Sequence, residues 1–130
     1  MHAFRIHAVF SGETDSEHWV TLRFASDGSE DDVIHVVCGL DVDEQDAALG
    51  MDRLYLERDD QSRGGYGGAD AVEVAATSVR IHLNERGLRT LEFDESLDLH
   101  WTDTIEGKAD AVDRFMKMRE YPWGRIVRIV

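Results

Sequence analysis

The sequence predicts an α+β fold. It reads as a mainly antiparallel sheet of about eight strands with one amphipathic helix near the C-terminus and a short helix near residues 43–49. Three observations predict it. Short runs of alternating apolar and polar residues recur along the chain, and turn signals separate them at hairpin spacing. One stretch only, Thr104 to Arg119, carries a convincing helical period. No linker or internal repeat divides the 130 residues, which suit a single domain over 1–130.

Phe4, Ile6, Ala8 and Phe10 alternate with Arg5, His7 and Val9 as a first strand, and Ser11 to Asp15 reads as a turn. His18, Val20, Leu22 and Phe24 form one face of a second strand. Ser26 to Asp32 is an acidic connection with the hairpin signal Asp27-Gly28. Val33 to Cys38 is apolar on both faces, which predicts a central strand covered on both sides. Asp43 to Gly50 fits a short helix: Asp43 caps it, acids fill its first turn and Gly50 ends it.

Leu54 to Leu56 mark the next strand, and Gly64-Gly65-Tyr66-Gly67-Gly68 reads as a glycine-rich turn presenting Tyr66. Strands are expected at Val72–Val74, Val79–Leu83, Leu88–Phe93 and Leu97–Trp101, with a turn at Asn84–Gly87. In the helix from Thr104 to Arg119, Ile105, Ala109, Val112 and Met116 share a face with Phe115 beside them. Asp103 and Glu106 resemble a capping box, and Asp110–Arg114 and Asp113–Lys117 are favourable i,i+4 pairs. Tyr121 to Gly124 stops the helix, and Arg125 to Val130 forms a last strand, at an edge where it could pair between subunits. Oligomeric state is left open.

The net charge of -13 opposes nucleic-acid phosphates and anionic membrane surfaces and favours basic partners. The charge is uneven: residues 1–60 hold 15 acids against four arginines. Twelve of the 14 basic residues are arginine, a lysine-poor balance that a saline habitat would also produce. The lone Cys38 allows no intrachain disulfide. The N-terminus lacks a signal peptide's apolar core, and no run approaches the ~20 apolar residues of a membrane helix, so a cytoplasmic location is expected.

No motif for catalysis, cofactor or metal stands out. Asp41 to Asp52 lacks the glycine and the glutamate that a calcium loop needs at its sixth and twelfth positions. The Gly64–Gly68 run has no following lysine or helix to hold phosphate. His35 and Cys38 fall on opposite faces of a strand, and Cys38 reads as a buried, inert thiol. The six histidines have no zinc-motif spacing, and no nucleophile elbow is present.

Cys38-Gly39-Leu40-Asp41, Glu44-Gln45-Asp46, Leu49-Gly50-Met51-Asp52, Glu57-Arg58-Asp59-Asp60-Gln61 and Gly64-Gly65-Tyr66-Gly67-Gly68 follow one another along the chain. This succession resembles a family of immunity proteins from bacterial polymorphic toxin systems, the one numbered ten, most firmly over residues 38–83. The resemblance implies a cytosolic antidote that binds a toxin's catalytic domain, with no catalysis and no cofactor. The acidic half then suggests steering toward a toxin with a basic active site. Asp59, Asp60 and Tyr66, with Asp41 and Glu44 beside them, are the expected contacts, and Trp123 is added on residue type. The alternative is a small enzyme or ligand-binding domain with a pocket between sheet and helix, where His82 and His100 would be the first suspects.

Overall fold

The computed structural model describes residues 1–129, so Val130 of the expected last strand lies outside the described residues. The chain is α+β. Nine strands form one sheet: β1 (His2–Glu13), β2 (Glu17–Ser26), β3 (Ser29–Gly39), β4 (Tyr55–Arg58), β5 (Gly64–Tyr66), β6 (Ala69–Val74), β7 (Ser78–Leu83), β8 (Leu97–His100) and β9 (Ile126–Arg128). Their order across the sheet is β5-β4-β3-β2-β1-β8-β7-β6-β9. All neighbours are antiparallel except β1 with β8 and β6 with β9. Three helices accompany the sheet: α1 (Glu44–Ala48), α2 (Glu85–Leu91) and α3 (Lys108–Met118).

Alternation along the strands decides which face is buried. His18, Val20, Leu22 and Phe24 of β2 are buried, as are Asp32, Ile34, Val36 and Cys38 of β3, while the residues between them in these runs are half-buried. Helix α3 lies on this inner face against β1 and β2, and α2 covers it at β4, β5 and β7. Ala111, Phe115 and Met118, spaced four and three apart, are fully buried beneath α3. The interval between the sheet and α3 is filled by these side chains.

The β3 strand is thus covered on one face only, because both long helices choose the same side; Val33, His35 and Val37 look outward. In β1 the pairing with β2 shifts between Ile6 and Ala8. This bulge puts Val9 inside with Ile6 and turns Phe10 out, 51% exposed, instead of sharing a face with Phe4 and Ile6.

The stretch expected as a turn and strand at 84–93 is helix α2. The Asn84 side chain accepts from the Gly87 N–H at 2.9 Å, and Leu88 N–H bonds the Asn84 carbonyl at 2.9 Å. Helix α3 starts at Lys108, four residues later than expected. Its N-cap is Gly107, at φ +88°, with no side-chain cap; Asp103 bonds the Lys108 ammonium at 2.8 Å instead of capping. The buried stripe rotates accordingly, leaving Ala109 exposed and Val112 and Met116 half-buried. Arg114 turns from Asp110 to the sheet, 3.4 Å from Glu13 and 3.0 Å from His18 Nδ1. Among the described residues, no helix is long and apolar enough to cross a membrane.

Candidate functional site

Strand register builds the outer face of β1–β5 row by row. One row runs Gly12, Trp19, Val37, Tyr55, Tyr66, each opposite the next. The adjacent row runs Phe10, Thr21, His35, Glu57, Gly64. The terminal glycines let the rings lie flat. A Cβ at Gly12 would sit 2.8 Å from the Trp19 indole, and one at Gly64 would sit 3.0 Å from the hydroxyl-bearing carbon of Tyr55. Tyr55 and Tyr66 pack with ring centroids 5.1 Å apart. Gly64–Tyr66 is therefore an edge strand and not a turn; the turn comes at Gly67, at φ +77°.

These rows floor a groove of about 610 Å³. The connection carrying α1 forms one wall with Asp41, Val42, Asp46 and Met51. The Asp43 carboxylate accepts from Asp46 N–H at 2.8 Å, and Asp46 accepts from Asp43 N–H at 3.3 Å, which fixes that wall. Among the described residues, four carboxylates line the groove (Glu17, Asp41, Asp46 and Glu57) and no lysine or arginine does. The Thr21 hydroxyl and His35 Nδ1 are 2.7 Å apart, and the Tyr55 hydroxyl donates to Glu57 at 2.8 Å. Burial, with the Glu57 carboxylate, pushes the Tyr55 phenol up to about 12, so it stays a neutral donor at neutral pH.

A family model described as Immunity protein 10 matches residues 5–108, which span the whole groove. The chain belongs to this family. Searches of curated proteins and of solved structures returned no significant match.

In this Immunity protein 10 family member the six expected contact residues divide between the groove, its rim and the core. Asp41 and Tyr66 line the groove, although Tyr66 is half-buried on Tyr55 and not a loop tip. Glu44 is exposed on α1, behind that wall. Asp59 and Asp60 stand at the end of β4 beside the groove residue Gln61. Both have local partners: Asp59, at φ +62°, pairs with Arg63, and Asp60 accepts from Ser62 N–H at 2.9 Å to start the turn Gln61–Arg63. Trp123 packs half-buried on the core with Tyr121, and its indole N–H donates to the Gly39 carbonyl at 2.8 Å.

Sequence reasoning missed Trp19, Tyr55, His35 and Glu57 as one surface, because their union depends on register across three strands. It also missed Arg58. That guanidinium bonds the buried Asp32 carboxylate at 3.2 and 2.8 Å and the Leu91 and Glu92 carbonyls at 3.0 and 2.7 Å. It also lies 3.9 Å from the centroid of the Phe93 ring. Arg58 thus ties the end of α2 to the sheet. His82 and His100 each lie 3.1 Å from one carboxylate, Glu73 and Asp98 respectively, on the outer side of the opposite half of the sheet. Burial pushes the Cys38 thiol up to about 11, consistent with an inert core residue.

Proposed function

We propose that this protein is a cytoplasmic immunity protein that binds a cognate toxin domain of a polymorphic toxin system and neutralises it by occupancy, without catalysis. The observation that carries the reading is the sheet face left open by both long helices, with four carboxylates and no lysine or arginine along its groove among the described residues. An acidic face of this kind speeds encounter with a basic active site and places carboxylates where that site would hold anionic substrate. Asp41 and Tyr66 make contact from the groove, and Glu44 adds negative field from α1. Asp59 and Asp60 contribute through the turn they build as well as through charge. Trp123 acts through its hold on Gly39, at the end of the strand leading into the acidic wall.

The test is co-expression with the toxin encoded beside this chain. Growth is restored, and the two proteins co-purify at one-to-one stoichiometry. Continued growth arrest, with no complex formed, would sink the reading.

A further inference from the structure

The outer face of the sheet has two halves of different character. On β6, β7 and β8, Glu73, Arg80 and Asp98 stand opposite one another in register, and His82 and His100 sit beside the carboxylates. Charge there is answered within the molecule. In the groove it is not: among the described residues neither Glu17 nor Asp41 has an ion-pair partner, and Glu57 bonds only the neutral Tyr55 hydroxyl. The carboxylates are spread along the walls from β2 to α1 to β4, and among the described residues no three ligating side chains gather as a metal site. That spacing suits an extended cation. Beneath it lie Trp19, Tyr55 and Tyr66, whose faces attract cations.

We propose that the groove seats an arginine side chain presented by the toxin's surface, its stem crossing Trp19 and Val37 and its guanidinium resting on the Tyr55 ring and bonding Glu57, in the field of Asp41. This rests on the reading of the chain as a toxin-binding protein. Arginine is chosen over lysine on shape. A planar guanidinium stacks on an aromatic face and bonds two carboxylate oxygens at once, whereas an ammonium is a compact, strongly hydrated point charge. The same protein already uses this combination internally, where Arg58 pairs with Asp32 and stacks on Phe93.

Two measurements test it. Calorimetry compares the wild-type chain, the double variant Asp41→Asn/Glu57→Gln and the double variant Asp110→Asn/Asp113→Asn on α3, each against the toxin domain encoded beside the chain. The groove variant weakens binding by about tenfold or more, while the α3 variant stays within about twofold. NMR titration of the chain alone uses tri-arginine and tri-lysine peptides. Tri-arginine shifts the Trp19 indole N–H resonance saturably, and tri-lysine shifts it less. Wild-type affinity in the groove variant, shifts centred on α3, or equal shifts from both peptides would overturn the proposal. A chain that seats tri-arginine on Trp19 but binds no toxin keeps the seat and removes the neutralisation reading instead.

Discussion

At the scale of single residues, the most consequential pair is Asp32 with Arg58. Asp32 is only 2% exposed, and Arg58 satisfies it with two hydrogen bonds while closing the end of α2. Removing one partner leaves a buried charge unanswered, so Asp32→Ala or Arg58→Ala should cost about 3–5 kcal/mol in urea unfolding. The Glu57-Arg58-Asp59-Asp60 run shows nothing of this in sequence, because the partner lies 26 residues upstream across a strand pair. Gly87 gives a test by sign. In an ordinary helix, Gly→Ala stabilises by about 1 kcal/mol. Here a Cβ would run into the Gly68 carbonyl carbon at 2.8 Å, so Gly87→Ala should lower the thermal midpoint. His18 is buried, and burial followed by the Arg114 charge holds its pKa below the ordinary 6.5. The unfolded chain therefore takes up a proton that the folded chain resists. Stability from this group is complete above the unfolded pKa and falls as pH drops below it toward the folded value. The wild-type midpoint should fall more between about pH 7.5 and 5.5 than that of His18→Gln.

At the scale of elements, what was legible followed period and length. Strand β2 alternates cleanly enough that its buried face can be read directly, and the two-residue period of β3 puts Cys38 with Ile34 and Val36. Helix α1 is legible because its cap and its acids are local. Helix α2 was not: Leu91 and Phe93 also fit a two-residue period, and only the Asn84 cap and the packing of Leu88 and Leu91 on the core decide for helix. Strand β5 was hidden for a different reason, since its glycines serve neighbouring rings and α2 rather than a loop. Helix α3 was placed but rotated, and Phe115 lies at the centre of its true buried stripe. Phe115→Ala should cost about 3–5 kcal/mol, whereas Ala109→Ser on the exposed side should change stability by about 0.5 kcal/mol or less.

At the scale of the whole molecule, the fold class follows from pattern, but the one-sidedness of the sheet does not. Apolar runs such as Val33–Cys38 look buried on both faces. The structure places the outward His35 and Val37 of this run, with Trp19 and Tyr55, in a groove instead. The charge asymmetry of residues 1–60 was visible from the start, and it is in this half that all but two of the groove residues lie. Steering by that charge predicts that association with the toxin slows as salt rises from about 50 to 500 mM, while folding stability changes little. Folding that requires molar salt would instead assign the acidity to habitat. The most direct measurement of the central claim is hydrogen exchange of the chain with and without its toxin. Residues 40–53 and 59–68, the wall and end of the open face, should gain protection. Protection confined to α3 and β9, with these segments unchanged, would contradict it.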